Sequence, residues 1–490
     1  MRTAIIRSLI VVSGGLWCTF IFYQEDMGLN TLFFVIPLLL LAFAKTYQIS
    51  PYQKEVAITA VGAFLSALAV IGNDTDLAKG MYWVSILLFI GFIKHVHIRF
   101  LPLVLAASLS NLVFVPIKIV QEYAGSLHRT NSLHYTIKKA INWLIPLGLF
   151  AIFLLIYYLA NDKFSGILDI VIDFFFTTNN QTIAIEQVAL FFVGFLLVGA
   201  IFFNHPFRAF LSSRQEQLDL NLIRNRKKRF VAYFAPLVLK SRFKLSIITL
   251  TLLNALICIV NLTDLIYVWF SRRVLSAREL SLYVHEGTNL LIFAILLAAV
   301  LLLVIFRKNL NFFPDNEGLK KLAYIWLGQN IFMVLSVAIR NFQYSHSFGL
   351  TYKRIGVFIF LLIVLIGLVT LFIKIRDRKS HYFLWHSNSW AMYLVLLAAG
   401  FINWNLLITR VNLNPNYTKH LDIQYLINEL PHQNAFLLDQ QEQNLQQQFP
   451  IQFHNLKNRI DRKMERACSG RSIYSWNWPY HLNRKHRKGR

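Results

Sequence analysis

The sequence of 490 residues contains only three cysteines, Cys18, Cys258 and Cys468. They are too few and too scattered for a disulfide framework or a zinc site, and the first two lie inside apolar runs, so no redox role follows. Acidic residues are also scarce, 24 against 49 basic ones, for a net charge of +25. Catalytic signatures are missing: there is no glycine-rich phosphate loop, no GxSxG elbow, no HExxH, no paired cysteine ligands and no repeated acidic motif of a membrane phosphotransferase. No cofactor and no metal is implied. No internal repeat is visible either, so the inverted-repeat architecture of many transporters gains no support.

What the chain has is apolar residues in blocks, 56% hydrophobic and 15% aromatic overall. A bilayer core needs about 20 consecutive apolar residues per helix, and such runs recur along the whole chain. The fold class expected is all-α: a polytopic transmembrane helical bundle of about 11 to 12 spans with a short, partly helical polar C-terminal tail. In such a protein the basic excess belongs to loops that stay on the cytoplasmic side, where anionic lipid awaits them. Nucleic-acid binding is the weaker reading of the charge.

Three regions follow in order. Residues 1–140 carry the N-terminal spans. Their basic start, MRTAIIRS, resembles a signal peptide but lacks a small-residue cleavage site before Gln24, which predicts an uncleaved first span with its N-terminus inside. Segment 100–120 is long enough to cross but carries Pro102, Pro116 and Lys118 and is flanked by basic residues on both sides. It is therefore expected to be re-entrant, interfacial or a hairpin of two half-helices, without crossing. Residues 141–409 form the core membrane domain, interrupted by a loop at 205–246 with ten basic residues against two acidic, including Arg226, Lys227, Lys228 and Arg229. That run predicts a cytoplasmic anchor on anionic lipid or a docking site for a soluble partner. The basic cluster Lys374, Arg376, Arg378 and Lys379 is expected on the same, inner side. Residues 410–490 are polar, glutamine-rich and basic. Leu421, Tyr425, Leu426 and Leu430 have helical spacing, which predicts one or two short helices followed by disorder, outside the membrane if eleven spans precede them.

The polar residues inside the apolar runs concentrate in the second half. Asn254, Asn261 and Asp264 fall at spacings of seven and three and share one helical face. The stretch LSLYVHEGTNLL, Leu280 to Leu291, brings Tyr283, His285, Glu286 and Asn289 to the mouth of the next span. His-Glu opens the zincin pattern, but the residue four after the histidine is Asn289, so a metalloprotease is excluded. Ionisable groups entering a bilayer are functional candidates, and Glu286 is expected to pair with Arg340 or Arg354, which the span count puts on the same outer side. Two function classes stay open. One is a non-enzymatic transporter-like or sensor-like protein; the other is a membrane-embedded enzyme acting on a lipid or cell-envelope substrate, with His285 and Glu286 as acid or base.

Several stretches resemble one family of bacterial integral membrane proteins: YYLANDKF at 157–164, LLNALICIVNLTDLIYVW at 252–269, ARELSLYVHEGTNLLI at 277–292, GLTYKRIG at 349–356 and LDIQYL at 421–426. They resemble the domain-of-unknown-function family 4173 and its relative, family 4153. The resemblance implies a multi-pass protein of the bacterial inner membrane and supplies no catalytic or ligand residue.

Overall fold

A computed structural model of the chain describes residues 2–45, 54–94, 99–126, 166–167, 185–203, 220–222, 235–270, 277–306, 308–312, 316–415, 417 and 421–489. Its elements are helices, with no strand among the described residues. Among the described residues, seven helices are long and apolar enough to cross a membrane, or eight if a bent pair counts as one span. The chain is an all-α polytopic helical bundle. Two compact units divide it: Met1–Gln215 with Gly470–Trp478, and Glu216–Ser469 with Pro479–Arg490.

The first unit contains α1 (Arg2–Phe22), α2 (Asn30–Lys45), α3 (Lys54–Asn73), α4 (Asp76–Lys94), α5 (Leu101–Ser126) and α6 (Ile185–Phe202). Helices α1 and α6 run antiparallel in close contact. A Cβ on Gly194 would lie 2.4 Å from Cys18 Cβ and 2.5 Å from the Gly14 carbonyl oxygen, so only glycine lets these backbones approach. The Lys45 ammonium donates to the carbonyls of Ile201 (2.7 Å) and Phe202 (2.6 Å), and Phe43 meets Phe89 at 5.7 Å, so α2, α4 and α6 end at one level.

Segment 100–120 belongs to one unbroken helix, α5, and not to a hairpin of half-helices. Pro116 lies inside it, and Leu101–Ile119 is apolar enough to cross by length and composition. Its contacts stay near that shared level: Ser108 donates to the Leu87 carbonyl at 2.7 Å, Asn111 to Ala200 at 3.1 Å, and Val115 lies against Gly199.

Part of the C-terminal tail is built into this first unit. Leu29 N donates to the Trp476 carbonyl (3.1 Å) and Asn30 N to that of Tyr474 (2.8 Å). The buried Asp74 receives Lys79 (2.7 Å), Arg471 (3.6 Å) and the Asn477 amide (3.0 Å), while Arg471 also reaches Asp26 at 3.0 Å. Residues 470–478 thus form a strap across the α1–α2 and α3–α4 turns.

The second unit contains α7 (Ala235–Asp264), α8 (Ala277–Ile305), α9 (Glu317–Phe348), α10 (Tyr352–Arg376), α11 (His381–Gly400) and α12 (Trp404–Leu413). Leu250 and Ile257 of α7, Leu302 of α8, Leu327 of α9 and Leu368 of α10 share one buried core. Helix α7 starts at Ala235, well before Ile247, because nothing in the basic stretch Lys240–Lys244 breaks a helix. Helices α11 and α12 are bent by 62°, since Asn403 caps a new helix by accepting Leu406 N at 3.1 Å. At the end of α10, Leu222 N donates to the Arg378 carbonyl and Ser380 N to that of Leu220, both at 2.9 Å. Residues 220–222 and the basic cluster 374–379 therefore share one end. Lys374 is not a solvated member of that cluster: it is 1% exposed, and its ammonium points at the Phe306 carbonyl where α8 ends.

The tail is more ordered than its composition predicts. A π-helical turn at Tyr425–Glu429 precedes α13 (Ala435–Gln440), α14 (Glu442–Gln448), α15 (Phe453–Ala467) and α16 (Trp478–Lys488). Leu426, Leu430, Leu456 and Ile460 pack with Ile355 and Ile408 of the membrane helices. Each such side chain contributes about 2 kcal/mol by burial, which offsets the ordering of a polar segment. Lys463, also on the buried face of α15, donates to the carbonyls of Leu426 (2.8 Å), Ile427 (2.9 Å) and Leu430 (2.8 Å).

Candidate functional site

The polar residues of the second unit form a seam between α7 and α9, which run parallel. Asn254 donates to the carbonyls of Leu250 (2.7 Å) and Leu322 (3.1 Å) and accepts from Gln329 Nε2 at 3.1 Å. Asn261 donates to the Gln329 carbonyl at 3.1 Å. Beyond it Asp264 and Arg340 form a buried ion pair, and after a π-helical turn at Leu265–Trp269 the Trp269 indole donates to Ser336 Oγ at 3.0 Å. The face defined by Asn254, Asn261 and Asp264 is the one that meets α9. From Leu322 to Arg340 the seam climbs about 27 Å, close to the thickness of a bilayer's hydrocarbon core.

Buried polar groups are normally hydrogen-bonded. Here Asn261 Oδ1, Asp264 Oδ2 and Gln329 Oε1 are buried with no partner among the described residues. The first and third belong to amides whose other ends are engaged, so the orphan oxygens are unmatched acceptors inside an apolar span. Gln329 and Ser336 mark the polar side of the α9 span in the sequence, although neither they nor Trp269 are among the candidate cluster residues. Their signal was the i, i+7 spacing of Gln329 and Ser336, which puts both on the α9 stripe facing α7.

Arg340 is thus joined to Asp264, a partner that sequence separation conceals. The pairing expected with Glu286 falls outside the described residues: the α8 backbone carries Tyr283, His285, Glu286 and Asn289, but the described side chains of that helix begin at Leu290. Arg226, Lys227, Lys228 and Arg229 also lie outside them. No group of three or more metal-binding side chains exists among the described residues.

Arg354 stands apart from the seam, in a cleft of about 380 Å³ between the α9–α10 turn and the tail. Its guanidinium lies 4.2 Å over the Tyr344 ring and donates through Nη1 to the carbonyls of Phe348 (3.0 Å) and Gly349. Gly349 has φ +80°, and a Cβ there would meet Asn412 Oδ1 at 2.8 Å, so the turn requires glycine. Asn412 clamps Leu350 from both sides, accepting its N–H at 2.6 Å and donating to its carbonyl at 2.9 Å. Opposite Arg354, the Tyr425 hydroxyl accepts Tyr352 N at 3.0 Å, and Asp422 Oδ1 accepts Tyr425 N at 3.0 Å. Burial pushes the Tyr425 hydroxyl up from its ordinary value, so it stays a neutral donor.

Among known families, the one described as "Domain of unknown function (DUF4153)" matches residues 15–440. The chain belongs to this family. It is the second of the two that the sequence resembles, and its match takes in the α7–α9 seam, the Arg354 cleft and the first helix of the tail, while the Lys463 helix and the strap lie beyond it. The curated proteins contain no match. The solved structures contain none either.

Proposed function

We propose that this DUF4153 protein is a transporter-like, non-enzymatic protein of the bacterial inner membrane that passes protons or small cations along the α7–α9 seam. The observation that supports this reading is the set of unmatched acceptors, Asn261 Oδ1, Gln329 Oε1 and Asp264 Oδ2, aligned beside a buried ion pair within membrane-crossing helices. Unpaired polar oxygens at this depth are costly, and they are retained where water or an ion satisfies them. A scaffold role would be served as well by apolar side chains. The basic loop 205–246 holds the cytoplasmic face on anionic lipid, with Arg226 to Arg229 as its densest charge.

The test is reconstitution into liposomes carrying an entrapped pH dye, with an imposed proton, Na⁺ or K⁺ gradient. Flux above that of empty liposomes is expected, falling at least tenfold in Gln329→Leu and Asp264→Asn. Wild-type protein that dissipates none of the three gradients would overturn the proposal.

A further inference from the structure

The Arg354 cleft carries chemistry that the seam does not use. Only Nη1 of the guanidinium is engaged; Nε and Nη2 have no partner among the described residues, and the ring behind them at 4.2 Å fixes the plane of the fork. Among the described residues Asp422 engages only Oδ1, as a cap for Tyr425 N, and Oδ2 has no partner among them in the same cleft. The Tyr425 hydroxyl uses a lone pair on Tyr352 N and keeps its proton to donate. A cation with two spare donors, a carboxylate with a spare oxygen and a phenol donor therefore line one cavity of about 380 Å³, within the range of small-molecule sites.

A purely anionic ligand would meet Asp422, and a purely cationic one would meet Arg354. We propose that the cleft binds a zwitterion, with a phosphate or carboxylate on Arg354 and Tyr425 and a primary ammonium on Asp422. Phosphoethanolamine fits this description, either as the headgroup of a membrane lipid or free in solution. The walls suit such a ligand because they are fixed: the Gly349 turn is held by Asn412, and Tyr352 is tied to Asn405 through its hydroxyl at 2.6 Å. A quaternary ammonium lacks the N–H needed to reach Asp422, so choline headgroups should bind worse. The inference does not depend on conduction through the seam.

The full chain in detergent is tested by thermal shift with phosphatidylethanolamine, phosphatidylglycerol, phosphatidylcholine and water-soluble phosphoethanolamine. Phosphatidylethanolamine should raise Tm by several degrees more than the other two lipids. A matching response to soluble phosphoethanolamine assigns the site to a free zwitterion, whereas a response to the lipid alone assigns it to the bilayer. Arg354→Gln should abolish the response. Because that variant also loses the Phe348 and Gly349 contacts, Asp422→Asn is the decisive one: asparagine keeps the cap on Tyr425 N and removes only the charge. Equal shifts with all three lipids, or an Asp422→Asn protein that keeps the ethanolamine preference, would overturn the proposal.

Discussion

Asp264 and Arg340, 76 residues apart in the chain, form an ion pair in which both side chains are at most 7% exposed. In the membrane interior such a pair must be made or both charges become untenable. Removing one partner is expected to cost about 3 to 5 kcal/mol, because the other charge is left buried. Asp264→Asn and Arg340→Gln should each lower Tm in detergent strongly, and the double variant by clearly less than the sum. Additive losses would show that the two charges do not depend on each other.

Lys463 provides a second measurement. Lys463→Met removes three donated hydrogen bonds and leaves the carbonyls of Leu426, Ile427 and Leu430 without them, at an expected cost of about 2 to 4 kcal/mol to the tail. Protease digestion of the intact chain should then cut within 421–469 much faster than in the wild type.

The same lysine makes stability depend on pH. Burial pushes its ammonium down to about 7 from an ordinary 10.5. Above pH 7 the unfolded chain holds a proton that the folded chain has released, so stability should rise from pH 7 towards pH 10 and be flat below 7. The slope is at most about 1.4 kcal/mol per pH unit. A Lys463→Met protein whose Tm climbs as steeply between pH 7 and 9 would remove Lys463 as the cause.

The strap fixes a sidedness. Arg471 and Asn477 reach Asp26 and Asp74, beside the turns that follow α1 and α3, so the strap lies at the end of the first unit opposite Arg2. Labels placed at the N-terminus and within the strap should report opposite sides of the membrane. Arg471→Ala should lower Tm, since the buried Asp74 loses one of its cations, and should expose 470–478 to protease.

Helix α5 is expected to lie along the membrane and not cross it. Residues Ser108, Asn111 and Val115 meet α4 and α6 near their common end, although about 10 Å of helix separates the first from the last. Reporter fusions after Lys94 and Ser126 should label the same side, and fusions after Ser212 and Asn416 opposite sides. Opposite labels for the first pair would make α5 a span.

The sequence by itself determined that this is a helical membrane protein, because apolar runs long enough to cross a bilayer admit few other structures. It also determined which face of α7 is polar, since the spacing of Asn254, Asn261 and Asp264 is a property of a single helix. Other features needed the tertiary structure. Which arginine Asp264 meets depends on α9 packing beside α7, and no local pattern records that. Lys374 reads as part of a solvated basic cluster until the end of α8 is seen to cover it. The order of the tail was partly legible, since Leu456, Ile460 and Met464 recur every four residues. Charge and glutamine content masked that stripe, and the surface it packs on belongs to Ile355 and Ile408, far earlier in the chain. The strap and the cleft were illegible for the same reason. Hydrogen bonds between Asn30 and Tyr474, or between Tyr352 and Tyr425, join segments that sequence leaves distant, and only the folded chain brings them within 3 Å.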